Sequence, residues 1–557
     1  MSGSQSLTPF AALCLTPFAA LCREFLAEEY EAAPVMASGL GLTEFDGRLD
    51  DLSAEAFEER RRRSAAWRER FRATPDAGLG PGERIDRDLV VSALTGRAIM
   101  AEWEGWRRQP EIYLNPGLHG VFSLFLHRLR PEPALVRDAV ARLRAIPEAL
   151  DHGRRNLAPE LVAPVFVDRA VGQARAGSRY VRALLPAEAR DPGLRASLAE
   201  AGAVAAAAFE GFAAFLEDLR SRATGDFALG ESRYSRLLRD REHIPLDARQ
   251  LRERGRTEYE RLSAELRELA RRVAGTENWT TVLQELNRDH PESPEAMRRS
   301  YADWTERARR FLLERGLVTL PEGEECLVEP SPPFQRPVLA VASYASPPAF
   351  SPSRRGHFFV PFPPDGASPE EVQQRLENNS HAGIPTTAVH EAYPGHHWHL
   401  VTMKAHPSPV RLTFRTPYFT EGWALYAEHM MREQGFFTDP RHELYQVEAM
   451  LFRAARIVVD TSLHAGDMTL EEARRFMVER ANLTEPTARA EVARYAAWPT
   501  QASAYLVGCL EILAIRARHL ARAGDSGTAT LRDFHDRLAG SGGLPPALAE
   551  RALTSER

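Results

Sequence analysis

Helical periodicity runs through most of this chain and limits what it can fold into. Three long stretches show it most clearly, with apolar residues recurring every three or four positions: 51–71, 133–157 and 247–274. Such spacing places the apolar side chains on one helical face, which must be buried against other elements. The chain has 557 residues, of which 44% are hydrophobic, so it can bury a large core. The sequence therefore predicts a mainly α-helical globular protein.

One region departs from the helical pattern. Between Glu329 and Gly366 the sequence is rich in proline and contains short β-type runs such as VLAVASY and HFFVPF. These runs predict a small β-sheet just before the segment that contains His390. Because no long flexible linker divides the chain, we expect one large domain, 1–557. It would have two lobes: a mainly helical N-terminal lobe, 1–328, and a catalytic lobe, 329–557, with short strands and the metal-site helices.

The charge and the cysteines of the chain limit its partners and its setting. The formal net charge is -6, and 27% of the residues are charged. Without a basic surface, neither nucleic acid nor an anionic membrane is an expected partner. The four cysteines form no CxxC pair and do not resemble a disulfide framework. This pattern predicts a reduced, cytoplasmic setting, and the sequence does not indicate the oligomeric state.

The segment HEAYPGHHWH, from His390 to His399, begins like the helix of a zinc protease. In the HExxH pattern two histidines four residues apart bind a metal from one helical face, and the glutamate is the general base. Here the fourth position after His390 is Pro394, which cannot bind a metal. Pro394 also lacks an amide donor and clashes with the preceding turn. A helix that starts near Pro385 must therefore kink or bulge at Pro394 and Gly395.

This bulge decides which histidine can be the second ligand. On an ideal helix His397 lies on the face of His390 but about 10 Å further along the axis. Zinc bonds of about 2.0 to 2.1 Å cannot bridge that gap. His396 would face away on a straight helix, whereas a two-residue bulge makes it equivalent to the second histidine of HExxH. We therefore expect His390 and His396 to bind the metal and Glu391 to be the base, with His397 as a reserve ligand.

A catalytic zinc site also needs a third protein ligand and an open position. The segment TEGWALYAEHMM contains Glu421, which lies 25 residues after His396, and Glu428, two helical turns further along the same face. Glu421 is the expected third ligand, and Glu428 is placed to orient a histidine. Without the upstream histidines, a glutamate on such an amphipathic helix would be interpreted as a surface charge.

Four segments together resemble a known family: HEAYPGHHWH, TEGWALYAE, FRAARIVVDTSLH and RYAAWPTQASAYLVG. The sequence looks like the bacterial domain family of unknown function numbered 885 (DUF885), over most of its length. The family motif HExxPGH implies His390, Glu391 and His396 as site residues and disfavours His397. The resemblance also implies a relation to the gluzincin metallopeptidases of the thimet oligopeptidase and carboxypeptidase Taq type. The expected fold is then a two-lobed, helical, zincin-like fold with a deep channel.

Two of these segments contain further polar residues at helical spacing. In FRAARIVVDTSLH, Arg453 and His464 lie on one polar face and are candidates for binding a peptide carboxylate. An internal ion-pair network is an equally good interpretation of that face. In RYAAWPTQASAYLVG, Tyr505 is the candidate donor to an oxyanion, with Gln501 as a supporting residue. A tyrosine packed in the core is the alternative.

These residues predict a hydrolase with Zn²⁺ as its cofactor that cleaves peptide bonds in small peptides. Glu391 would deprotonate the attacking water and then protonate the leaving amine. The run HFFVPF could pair with an extended peptide by edge addition. Two alternatives remain: a metal-dependent amidohydrolase that acts on a non-peptide amide, and a non-catalytic pseudoenzyme that binds peptides. Glu391 argues against the second, because a binding protein needs no base beside its metal.

Overall fold

The computed structural model describes residues 16–332, 335–336, 341–364, 366–524 and 530–555. Over these residues the chain is mainly α-helical, as predicted. The helices that precede the sheet are α1 (Pro17–Ala32), α2 (Pro34–Gly39), α3 (Ala54–Arg72), α4 (Pro81–Ala101), α5 (Gly105–Arg108), α6 (Glu111–His127), α7 (Glu132–Asn156), α8 (Pro164–Arg179), α9 (Pro192–Arg222), α10 (Glu231–Arg236), α11 (Ala248–Ala274), α12 (Trp279–Leu286) and α13 (Pro294–Arg315).

The helices that follow the sheet contain the candidate site. They are α14 (Pro369–Glu377), α15 (Ile384–Glu391), α16 (His396–Met403), α17 (Pro409–Thr413), α18 (Pro417–Glu433), α19 (Pro440–Ala465), α20 (Leu470–Ala481), α21 (Glu485–Ala497), α22 (Gln501–Gly524), α23 (Leu531–Gly540) and α24 (Pro546–Ser555).

The three stretches of clearest periodicity form helices α3, α7 and α11, which confirms the prediction made for them. Two of these helices begin at a residue whose side chain caps the first turn. Ser53 accepts a hydrogen bond from the amide of Ala56, and Asp247 accepts one from the amide of Gln250. Such caps satisfy amide groups that have no partner within the helix, so the helix starts are encoded locally.

Along the chain, a three-stranded sheet is formed between α13 and α14. Its strands are β1 (Glu325–Pro330), β2 (Ser343–Ala345) and β3 (Arg355–Val360), in the order β1-β3-β2. β1 is parallel to β3, and β2 is antiparallel to it. The prediction of a small sheet is confirmed. However, the HFFVPF run supplies the inner strand β3, which has a neighbour on each side. The expectation that a peptide pairs with this run by edge addition is therefore wrong.

Two hydrophobic cores hold the described helices together. The smaller core lies mainly among α6, α7, α8 and α9, and the larger one joins α1 and α4 with the helices from α10 onward. By length and composition α9 could cross a membrane. α9 packs against α7 and α8, and core helices of globular proteins pass the same test. The expected division into lobes at residue 328 stays a prediction.

Helices α18 and α22 cross at unusually short range because a glycine of each faces the other. A Cβ atom added to Gly422 would lie 2.6 Å from the Cα of Gly508, and one added to Gly508 would overlap the carbonyl oxygen of Tyr418. Small residues at a helix crossing allow the two backbones to approach closely. This crossing brings the part of α18 that contains Glu421 next to the part of α22 that contains Tyr505.

Gly508→Ala should therefore destabilise the fold. The added methyl group overlaps backbone atoms that cannot rotate away, and overpacking of this kind costs about 1–3 kcal/mol. We expect a lower urea midpoint for this variant. The matched control is Gly172→Ala in α8, where an added Cβ has no atom within 4 Å. That variant should be neutral or slightly stabilising, because alanine favours the helix. Equal midpoints for the two variants would contradict the close crossing.

Candidate metal centre

The chain around Pro394 is broken into two helices, α15 and α16, by a bulge. The amide of Gly395 donates to the carbonyl of Val389, six residues earlier, at 3.1 Å, and the amide of Trp398 donates to Ala392 with the same spacing at 3.2 Å. A regular α-helix would place these acceptors four residues earlier. The break thus accommodates two extra residues, which is the bulge that Pro394 and Gly395 predict.

Gly395 is the residue that this bulge requires. A Cβ atom at this position would overlap the carbonyl oxygens of His390 and Val389. The bulge is also attached to α18, since the indole nitrogen of Trp423 donates to the carbonyl of Pro394 at 2.8 Å. The helix break is therefore held both by its own backbone and by the helix that contains Glu421.

His390, His396 and Glu421 come together at this bulge. One ligand atom from each lies within 4.8 Å of the others, and no other such group of three is found among the described residues. Glu421 Oε2 is 3.3 Å from Nε2 of His396 and 3.8 Å from Nε2 of His390. At zinc bond lengths of about 2.0 to 2.1 Å, tetrahedral ligand atoms lie about 3.4 Å apart. The separations therefore suit a single small metal ion.

Glu428 orients His390 toward this cluster. Nδ1 of His390 lies 2.6 Å from Oε1 of Glu428, whose side chain is buried, and this contact leaves Nε2 facing Glu421. Burial opposes a charged imidazole here, but the carboxylates of Glu421 and Glu428 raise the pKa of His390 to about 9. This concentration of negative charge favours a bound cation, and a carboxylate behind a histidine is common in metal sites.

Glu428→Gln should weaken metal binding without abolishing it. The change removes the charge that orients His390, and loss of such a supporting contact typically costs about 10- to 100-fold in metal affinity. Competition with a zinc chelator would measure the change in affinity. Glu433→Gln, on the same helix but paired with Arg516, is the matched control and should keep the wild-type affinity. Unchanged zinc affinity in Glu428→Gln would contradict this role.

Glu391 lies beside the cluster in a buried position. Its side chain is 7% exposed, and no described side chain forms a hydrogen bond with its carboxylate. Burial raises the pKa of Glu391, although the nearby His390, His396 and Arg453 oppose that shift. A buried carboxylate next to a candidate metal centre, with no hydrogen bond from a described side chain, is a candidate acid or base.

His397, the reserve ligand, points away from the cluster. It is fully buried, with Nδ1 2.8 Å from the hydroxyl of Tyr344 and Nε2 2.8 Å from Oε2 of Glu324. Neither nitrogen is therefore free to bind a metal with His390. Glu324 and Tyr344 were not identified from the sequence. Both lie more than fifty residues before His397 in the chain, and no local pattern marks them.

Tyr505 and Gln501 lie together on α22, near the cluster. The side-chain amide of Gln501 donates to the hydroxyl of Tyr505 at 3.2 Å, so the hydroxyl proton stays available for another acceptor. Tyr505 is partly buried, and its pKa is raised by burial and by the negative charge of Glu421. The guanidinium group of Arg456 lies over the Tyr505 ring, 4.7 Å from its centre.

His464 is held by backbone groups instead of facing the cluster. Its Nδ1 accepts a hydrogen bond from the amide of Leu229 at 3.2 Å, and its Nε2 donates to the carbonyl of Tyr495 at 3.0 Å. Burial lowers the pKa of His464 to about 4, so the ring is neutral. With both nitrogens occupied and no charge, it has no group to offer a substrate carboxylate. At His464 the polar face of α19 therefore contacts the backbone of Leu229 and Tyr495. Arg453 remains a candidate for binding a substrate carboxylate.

Comparisons with known proteins agree with the fold. The family model described as bacterial protein of unknown function (DUF885) matches residues 34–553. A "putative lipoprotein of unknown function" from Shewanella oneidensis has a TM-score of 0.76 at 20% identity, over 96% of this chain and 99% of that one. A "putative lipoprotein" from Colwellia psychrerythraea has a TM-score of 0.78 at 21% identity, over 96% and 98%. No curated protein matches.

These descriptions contradict the cytoplasmic location that was expected from the cysteines. Both solved structures are described with the words "putative lipoprotein", and lipoproteins are attached to a membrane by a lipid. The cysteines of the described residues, Cys22, Cys326 and Cys509, are free, and a domain of this size can be stable without disulfides in any compartment. Cysteine spacing was therefore too weak an indicator of location.

Proposed function

Because this family match spans most of its length, the chain belongs to the DUF885 family of bacterial proteins, and we propose that it is a zinc-dependent metallopeptidase acting on small peptides. The observation that carries the proposal is the cluster of His390, His396 and Glu421, with ligand atoms within 4.8 Å of one another. A gluzincin-like relation, with a two-lobed, zincin-like fold, is part of this proposal. It is supported by the HExxPGH pattern and by a third ligand on a separate helix.

The donor atoms suit zinc in a hydrolytic site. Two imidazole nitrogens and one carboxylate oxygen are a common set of three protein ligands for catalytic zinc, which keeps its fourth position open. The side chains of Glu421 and His396 are 20% and 12% exposed, so solvent can reach the cluster. Bound zinc would lower the pKa of a water molecule and polarise a substrate carbonyl.

Two residues of the chain would act on the substrate, Glu391 by proton transfer and Tyr505 by a hydrogen bond. Glu391 takes a proton from the attacking water and passes it to the leaving amine nitrogen. The hydroxyl of Tyr505, held by Gln501, donates a hydrogen bond to the carbonyl oxygen as negative charge develops there. Both groups lie beside the ligand cluster, on different helices.

The purified chain should contain about one zinc ion per molecule. With two histidines, a glutamate and Glu428 behind His390, we expect a site of high affinity, so the ion should survive gel filtration. Elemental analysis measures the content. If no transition metal is found even after zinc has been supplied, the proposal is wrong.

A mixture of random peptides tests the activity of the zinc-loaded chain. We expect cleavage products by mass spectrometry, their loss on removal of zinc by a chelator, and their return when zinc is restored. Cleavage of amide conjugates without cleavage of any peptide would favour the amidohydrolase alternative. A chain that holds zinc and cleaves neither class of compound would contradict a catalytic function.

A further inference from the structure

Several arginines surround Tyr505, next to the candidate metal centre. The guanidinium groups of Arg453 and Arg456 lie 5.8 Å and 4.7 Å from the centre of the Tyr505 ring. Arg494 also acts on Tyr505 electrostatically. Glu491 accepts hydrogen bonds from both Arg456 and Arg494. A single carboxylate thus serves two of the three arginines, and Arg453 is not hydrogen-bonded to it.

Two of these guanidinium groups have donors without an acceptor. Nε of Arg453 and Nη1 of Arg456 are buried, and no described residue accepts a hydrogen bond from either. Nη1 of Arg453 donates a hydrogen bond to the carbonyl of Ala449, in its own helix. Buried N–H groups are rarely left without a partner, because losing their hydration costs free energy. Such donors beside an open site indicate an acceptor that arrives with a ligand.

Arg453 differs from Arg456 in being able to reach that ligand. Its side chain is half-buried, and it forms no ion pair with a carboxylate of the described residues, whereas Arg456 is buried and paired with Glu491. Arg453 also acts electrostatically on Glu391 and on Glu448. Burial raises the pKa of Glu448 to about 7, so this neighbour neutralises Arg453 only in part.

We propose that Arg453 binds the free C-terminal carboxylate of a peptide whose scissile bond lies at the cluster of His390, His396 and Glu421. The inference rests on the proposed function and deepens it: the protein is an exopeptidase that acts from the carboxyl end. Guanidinium groups form short, charge-assisted hydrogen bonds with carboxylates, often two at once. Arg456 and Arg494 add positive charge behind the carboxylate without touching it.

The test compares two mixtures of random N-acetylated tetrapeptides, one with free C-terminal acids and one with C-terminal amides. The zinc-loaded chain should cleave the acids with a kcat/KM at least about tenfold higher than that for the amides. This factor is the lower end of the range that a hydrogen bond to a charged group typically contributes. Arg453→Gln should bring this ratio close to one by slowing only the acids. Arg453→Lys should give an intermediate ratio, since a lysine keeps the charge but not the paired donors.

The matched control is Arg441→Gln, at the exposed start of the same helix, where Arg441 pairs with Asp439. This variant should keep the wild-type ratio. Binding of both mixtures to the zinc-loaded Glu391→Gln chain, measured by equilibrium dialysis, gives a second ratio that does not depend on turnover. Zinc content and thermal unfolding show that each variant is folded.

Equal cleavage and binding of acids and amides would overturn this inference and leave the proposed function intact. A ratio that persists in Arg453→Gln would also overturn it, because the carboxylate would then bind elsewhere. If Arg453→Gln slows acids and amides alike, Arg453 acts through Glu391 instead. If the chain prefers those amides that contain aspartate or glutamate, Arg453 binds side-chain carboxylates, and this result too would overturn the inference. A zinc-loaded chain that neither binds nor cleaves either mixture would overturn the proposed function and this inference together.

Discussion

Glu391→Gln should keep about one zinc per chain and lose at least about a hundredfold in turnover. Glutamine has nearly the same size as glutamate, but it cannot accept the proton that the attacking water must lose. General-base catalysis typically contributes about 10²- to 10⁴-fold. Glu391 follows His390 directly and is buried beside the cluster, and no described side chain forms a hydrogen bond with its carboxylate. Its function is therefore expected to be proton transfer and not metal binding.

Zinc content and turnover must be measured on the same preparation of this variant. Loss of zinc from Glu391→Gln would mean that Glu391 is a ligand and that the site is assigned incorrectly. Full activity with full zinc content would contradict the hydrolytic mechanism. The control is Glu433→Gln, which removes a glutamate from α18 at its contact with Arg516 and should change neither quantity.

His396→Ala should abolish stoichiometric zinc binding, whereas His397→Gln should leave most of it. Nε2 of His396 lies 3.3 Å from Oε2 of Glu421, within the cluster of ligand atoms. His397 instead contacts Tyr344 and Glu324, away from that cluster. Glutamine at position 397 keeps a donor and an acceptor for these two neighbours. This substitution therefore limits the loss of stability, which for an unsatisfied buried group is about 1–3 kcal/mol.

The two variants are compared by elemental analysis after gel filtration. If His397→Gln loses its zinc while His396→Ala keeps it, the helix is distorted differently from the bulge at Gly395. If both lose zinc in folded material, the contact between His397 and Glu324 is needed to hold His396 in place. Thermal unfolding distinguishes this result from a general loss of structure.

Local sequence was sufficient for the helices and for the break between the two histidines. The helices α3, α7 and α11 follow from apolar spacing, and capping residues mark where α3 and α11 begin. The bulge follows from Pro394 and Gly395, because a proline has no amide to donate and only a glycine leaves room for the carbonyl of His390. These effects act between residues within a few positions of each other, so a single sequence contains them.

Partners that are distant in the chain could not be predicted in this way. The polar face that contains Arg453 and His464 was visible as a pattern, but only the packing shows that His464 is occupied by Leu229 and Tyr495. In the same way, the β-type run HFFVPF was recognised, yet its place between two other strands excludes the expected edge pairing.

The sequence by itself therefore determined a mainly helical fold and a set of histidines and glutamates of the right type and spacing for a metal. Only the tertiary structure placed Glu421 against His396, Glu428 behind His390, and His397 against Glu324. The physical reason is that helix periodicity and proline chemistry are local. Contacts between helices depend instead on how whole faces pack, as where Gly422 and Gly508 let α18 approach α22.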